Sequence, residues 1–333
     1  MAKGYNPTEY MYSSARIRAF ETRIASREQI ARMADAQSTE SVTAQLSELG
    51  FEAVWRDGRF LREETLMSAL KAGFDELSAM ECADAIRFLR FGYDANNIKS
   101  LIKCGARGIS ADRMLLELGS ISVEQARRAY ESKDYSVFPE NMAAAILDAE
   151  EAFAATADPQ KIDFIIDRAA FADMLDSAKV SGIPLALKLV SAKIDLVNIT
   201  VTARLIRMRL GARSGAMLDE AYIKGGSIDK AELVRALGEG SESLAKLLEY
   251  GTYSSISELI AEEASLGDIE KRAEDIWMGI ARSARFVPFG AEVAIGYISA
   301  LEYQVKNIRI LLAGKDAGLS SEIIRERLRE CYV

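Results

Sequence analysis

The chain has 333 residues, 49% hydrophobic and 28% charged, with 5 Pro, 22 Gly and a formal net charge of −8. An acidic balance of that size repels phosphate backbones and anionic headgroups, which argues against broad nucleic-acid or membrane-surface binding. Histidine is absent, so the usual proton shuttle near neutral pH, every Ser-His or Cys-His nucleophile pair and the commonest metal ligand are excluded.

Sparse Pro and Gly against abundant Ala, Leu, Ile, Arg and Glu predict an all-α protein. Ile17, Phe20, Ile24 and Ala31 form one apolar stripe, predicting an N-terminal helix. Ser38-Thr39-Glu40-Ser41 opens another, carrying Val42, Leu46 and Leu49 and stopping at Gly50, with Phe51 and Val54 as an aromatic corner after it. The pair Asn97-Ile98 lies in a long helix that runs on through Lys99, Lys103 and Arg107. Gly119-Ser120-Ile121-Ser122 starts the next round, where Ser122 and Gln125 have capping-box spacing and Arg128-Ala129 follow. Tyr135 and Phe138 are the corner, and Asp158-Pro159 is a cap followed by a first-turn proline. Pro184 precedes the helix of Asp195 and Asn198-Ile199, which continues to Arg204, Arg207, Arg209 and Arg213. Gly226-Ser227-Ile228-Asp229 then repeats the capped start, with Glu232, Arg235-Ala236, Tyr253 and Ile256 at matching places. Pro288 stands before the Asn307-Ile308 helix with Lys306, Arg309 and Lys315, and Ser320 or Ser321 begins a truncated fourth start.

The Asn-Ile pairs are 101 (97 to 198) and 109 (198 to 307) residues apart. One block of about a hundred residues is therefore used three times, predicting a three-lobed helical body. The expected lobes are 1–117, 118–225 and 226–333, the third completed by the N-terminal helix. An Asn inside a helix is mildly unfavourable and implies a hydrogen bond to something fixed. Asn97, Asn198 and Asn307, with Asp94 and Asp195 three residues earlier, are thus expected to be structural joints.

The cations after each Asn have two readings: charges suited to the negative end of a helix dipole, or a positive collar gathered on one rim to steer an acidic partner. The carboxylate pairs Glu63-Glu64, Glu150-Glu151 and Glu262-Glu263 read as solvated helix faces rather than acid-base or metal sites. Gly238-Glu239-Gly240-Ser241 and Gly314-Lys315 lack the partners of nucleotide-binding loops. No catalytic residue, metal or cofactor is expected. Lys3 is followed by polar residues and Tyr, so no signal peptide is expected. The most apolar stretch, Phe286 to Leu301, is broken by Glu292 and is short of the ~20 residues that span a bilayer. Cys82, Cys104 and Cys331 have no CxxC spacing and form an odd set, as in a reducing cytoplasm.

The triplicated unit, Tyr12-Ser13-Ser14-Ala15-Arg16-Ile17-Arg18-Ala19, Asp195-Leu196-Val197-Asn198-Ile199, Gly238-Glu239-Gly240, and above all Lys306-Asn307-Ile308-Arg309-Ile310-Leu311-Leu312-Ala313-Gly314-Lys315 with Leu319–Leu328 resemble the C subunit of V/A-type rotary ATPases. The eukaryotic relative is the vacuolar d subunit. The resemblance covers essentially the whole chain. It implies three pseudo-symmetric lobes arranged as a funnel around a central hollow, resting on the membrane proteolipid ring and receiving the central stalk built of the D and F subunits. Such a protein is a rotor part that passes torque between ion translocation and ATP synthesis or hydrolysis, without binding ATP, conducting ions or inserting into the membrane. It would be cytoplasmic and peripheral, held at the membrane through the complex. Without the resemblance, a helical scaffold or adaptor in another assembly fits the same residues.

Overall fold

A computed structural model describes residues 5–333, apart from the side chain of Ala212. The fold is all-α, with 73% of the chain helical. In chain order the helices are α1 Met11–Glu21, α2 Arg27–Asp35, α3 Thr39–Gln45, α4 Arg62–Ser78, α5 Ala83–Ala106 and α6 Val123–Ser132. There follow α7 Glu140–Thr156, α8 Pro159–Ser181, α9 Pro184–Met208, α10 Ala212–Ala221 and α11 Lys230–Glu239. The last are α12 Ser241–Leu248, α13 Ser254–Ala261, α14 Leu266–Ala281, α15 Ala291–Asp316 and α16 Ser321–Arg327. One two-stranded hairpin, β1 Trp55–Arg56 and β2 Arg59–Phe60, turns at Asp57-Gly58, both with positive φ, as a tight hairpin turn requires. The chain divides into two compact units, residues up to Ile86 with Glu274–Val333, and Arg87–Ala273.

The first unit is built on α15. Its residues Ile298, Ser299, Ala300 and Leu301 are all buried, and four consecutive residues cover a full helical turn, so this helix is enclosed on every side. Ile17 of α1 and Leu66, Phe74 and Leu77 of α4 are buried in the same unit. Gly73 lets α4 come close, since a methyl there would collide with Leu301. The buried Ser14 hydroxyl accepts a hydrogen bond from Gly290 N at 3.1 Å and pins α1 to the start of α15.

In the second unit Ile98, Ile102, Met142, Ile146, Ile162 and Ile166 share one core. The start of α7 carries Pro139 at its cap position, which offers no side-chain acceptor. Asp173 on α8 supplies one instead, accepting from Met142 N at 3.0 Å and Asn141 N at 3.3 Å. A helix start is thereby tied to its neighbour.

Three local readings are corrected. The stripe from Ile17 to Ala31 is not one helix: α1 ends at Glu21 and α2 begins at Arg27, because the intervening backbone turns at Arg23 and Ile24 and Ala25 N bonds to Gln304 instead. Asp229 starts α11 through its backbone carbonyl, which accepts from Glu232 N, and its side chain caps nothing. Pro184 occupies the first turn of α9, but Pro288 lies ahead of α15, whose cap is Gly290 with φ 149°, a conformation open to glycine alone.

Replacing Asp173 strips the remote cap from α7. Asp173→Ala is expected to cost about 1–2 kcal/mol, measured as a lower urea midpoint with unchanged slope.

Candidate functional site

The three Asn side chains make the same contact. Asn97 donates from Nδ2 to Leu116 O at 2.9 Å and accepts from Leu116 N at 2.8 Å. Asn198 does so with Ile223 O at 2.8 Å and Ile223 N at 3.0 Å. Asn307 takes Arg329 O at 3.0 Å and Arg329 N at 2.8 Å. Each carboxamide reads both polar groups of one residue in the segment after its helix, as a neighbouring strand would.

The position three residues earlier holds the next stretch. Asp94 accepts from Ser120 N at 3.0 Å, Ser120 Oγ at 2.6 Å and Ile121 N at 3.3 Å. Asp195 accepts from Ser227 N at 2.9 Å, Ser227 Oγ at 2.6 Å, Ile228 N at 3.1 Å and Tyr253 Oη at 2.8 Å. Both carboxylates are buried. At Asp94 burial pushes the carboxyl up, against the pull of the Ser120 and Ile121 hydrogen bonds. Gly119 and Gly226 precede these serines because a methyl at either would strike the Asp Oδ1.

In the third copy the equivalent residue is Gln304, which sequence reasoning does not single out. It accepts from Ala25 N at 2.5 Å and donates to Arg23 O at 3.3 Å. The next residue, Ser26, caps α2 in a capping box with Gln29, as Ser122 caps α6 with Gln125. Ser38 also starts a helix, α3, but the start that matches the clasps is Ser26. Its signal in the sequence is the Ser-x-x-Gln spacing, 96 residues (26 to 122) before Ser122.

The basic residues are mostly engaged. Lys99 pairs with Asp167 at 2.6 Å and Lys103 with Asp163 at 2.5 Å, joining α5 to α8. Arg204 pairs with Glu270 at 2.6 Å, joining α9 to α14, and Arg207 donates to Ala264 O. Arg309 pairs with Glu63 at 2.9 Å, joining α15 to α4, and Lys306 with Glu274 at 2.7 Å. Lys315 donates to Ala34 O at 2.6 Å. Arg107, Arg209 and Arg213 are exposed and have no ion-pair partner among the described residues. Glu274 takes two cations, Lys306 and Arg329: burial opposes its charge, but these two outweigh burial and hold it below the usual carboxylate range. Among the described residues no cluster of His, Cys, Asp or Glu could hold a metal ion, and no helix is long and apolar enough to cross a membrane.

Repeated helices locked by matching polar clasps, with cations turned inward to neighbouring helices, define a helical-repeat structural protein. A profile described as "ATP synthase (C/AC39) subunit" matches residues 13–327, and the chain belongs to that family, whose members are structural rather than catalytic parts of V/A-type ATPases. It is 28% identical over 242 residues to the C subunit of the V-type sodium ATPase of Enterococcus hirae, covering 72% of this chain and 73% of that one. It is 21% identical over 338 residues to the C subunit of the A-type ATP synthase of Thermococcus kodakarensis, covering 97% and 91%. A third relative, the C subunit of the V-type ATP synthase of Thermus thermophilus, is 22% identical over 253 residues, covering 74% and 75%.

Asn198→Ala orphans a buried N–H and C=O of Ile223 and is expected to cost about 1–3 kcal/mol. Asn97→Ala costs less because Leu116 is only half-buried; chemical denaturation of the two variants gives the order. For Glu274, whose folded pKa is depressed, the stability it confers is present above the unfolded value of 4.5 and is lost as pH falls through the folded value. The gap in melting temperature between the unsubstituted chain and Glu274→Gln should therefore close on acidification below about pH 4.

Proposed function

We propose that this chain is the central rotor socket of a V/A-type rotary ATPase. It couples the D and F subunits of the central stalk to the membrane proteolipid ring and transmits torque between ion translocation and ATP synthesis or hydrolysis. On this reading its lobes stand as a funnel around a hollow that receives the stalk, and it works at the cytoplasmic side as a peripheral part of the complex. The coupling ion is a property of the ring.

The observation that carries the reading is the third clasp. Asn97 and Asn198 clasp the segments leading to the helix starts at Ser122 and Asp229, whereas Asn307 and Gln304 clasp Arg329 and the residues just before Ser26. The ion pairs follow the same rule: α5 with α8, α9 with α14, α15 with α4, each the helix ahead of the following Asn helix. A rule whose last step returns to the N-terminal part of the chain is what a ring of three lobes would require, and it supports the socket reading. A helix-walled body tied by internal polar joints also resists the twisting that torque imposes.

The collar belongs to this proposal in reduced form, since only Arg107, Arg209 and Arg213 of those ten cations lack internal partners among the described residues. The test is capture of purified D–F stalk and, separately, of purified proteolipid ring by this chain. Arg107→Glu, Arg209→Glu and Arg213→Glu together should weaken capture by one of them roughly tenfold at low salt, less at high salt, with little change in melting temperature. Capture of neither partner by the unsubstituted chain overturns the socket reading in favour of a scaffold elsewhere; equal capture by the triple variant removes the collar.

A further inference from the structure

Two of the three joints are backed by continuous chain, and one is not. In the first, the clasped residues Leu116 and Ser120 are four positions apart; in the second, Ile223 and Ser227 are again four apart. In the third, the clasped residues are Arg329 and Ala25, brought together from opposite ends of the sequence. Among the described residues, side chains hold that joint.

The segment Arg329–Val333 is not a helix or a strand of a sheet, yet five of its backbone groups are met by side chains. Asn307 holds Arg329 N and O. Asp275 accepts from Glu330 N at 2.8 Å, Arg282 donates to Cys331 O, and Arg285 donates to Tyr332 O at 3.2 Å. Side chains add to this: Arg329 pairs with Glu274 and Glu330 with Arg282. Tyr332 is 1% exposed, with its hydroxyl 3.4 Å from Glu21. The room for its ring comes from Gly296, where a methyl would lie 2.5 Å from both Tyr332 Oη and Ala284 Cβ. Donors and acceptors aimed at an extended backbone, with one aromatic pocket for specificity, are the parts of a peptide-recognition cleft.

We infer that residues 329–333 occupy a peptide-binding cleft formed by Asp275, Arg282, Arg285, Gly296 and Asn307, and act as a latch that closes the third joint. The cleft takes a peptide segment carrying an aromatic residue, and the chain fills it with its own Cys331-Tyr332. The joint without continuous chain behind it is the one that opens, releasing 329–333 and the turn at Arg23–Ser26 together while the helices stay formed. The latch concerns the chain alone and stands or falls separately from the rotor reading.

Hydrogen exchange on the intact chain tests it first. Amides of Arg329, Glu330 and Ala25 should lose protection together, and severalfold faster than those of Ile223, Ser227 and Ile228 at the second joint. Tyr332→Ala should speed exchange of the first set again and leave the second unchanged. Equal protection at the two joints, or no response to Tyr332→Ala, overturns the latch. A chain ending at Leu328 provides the binding test: it should melt about 4 °C or more lower, and the synthetic peptide Arg-Glu-Cys-Tyr-Val should restore the loss saturably. The same peptide with alanine for its tyrosine should not. Failure of the tyrosine peptide to raise the melting temperature of the folded, shortened chain overturns the cleft.

Discussion

A single carboxamide reading both polar groups of one residue is the interaction on which the rest of this structure depends. An Asn inside a helix gives up roughly 0.7 kcal/mol of propensity relative to Ala, and its two hydrogen bonds return about 1 kcal/mol each. The net gain is small. The penalty for misplacement is larger, because a buried peptide unit left without partners costs about 1–3 kcal/mol. The clasp therefore fixes the path of the segment after each Asn helix more than it adds stability. Its recurrence at Leu116, Ile223 and Arg329 with all six distances between 2.8 and 3.0 Å reflects that.

The residue one turn earlier differs between copies for a chemical reason. Asp94 and Asp195 meet only N–H and O–H donors, and a carboxylate accepts all of them. The third position must accept from Ala25 N and donate to Arg23 O, which a carboxylate cannot do and an amide can. Gln304 is thus the Asp of the pattern rewritten for a joint that faces a carbonyl. The glycine is missing there too: Gly119 and Gly226 clear space for an Asp oxygen, whereas Ile24 precedes the clasped Ala25.

The all-α class and the positions of the long Asn helices are legible because each rests on local spacing. Ser122-Gln125 and Asp158-Pro159 cap their helices as that spacing requires. Where local spacing misleads, a distant partner overrides it. The stripe from Ile17 to Ala31 has helical period, yet Gln304 takes the amide of Ala25 and the helix breaks there. Gln304 and Ser26 escape a search for copies along the sequence because such a search cannot pair the end of the chain with its beginning. Tertiary closure is invisible to period.

The placement of charge follows from the same closure. Of the ten basic residues flanking the Asn positions, Lys99, Lys103, Arg204, Lys306 and Arg309 face carboxylates on other helices, and Arg207 and Lys315 face carbonyls. Half-exposed ion pairs of this kind contribute about 0–1 kcal/mol each, so they add little to stability. What they share is topology: Lys99 and Asp167, Arg204 and Glu270, Arg309 and Glu63 each join an Asn helix to the helix ahead of the following one. Helix-dipole preference alone asks only for a cation near a helix end; it does not ask for an acid opposite it. The acids opposite mean that these cations serve the joints first; of the ten, Arg107, Arg209 and Arg213 are exposed without an ion-pair partner among the described residues.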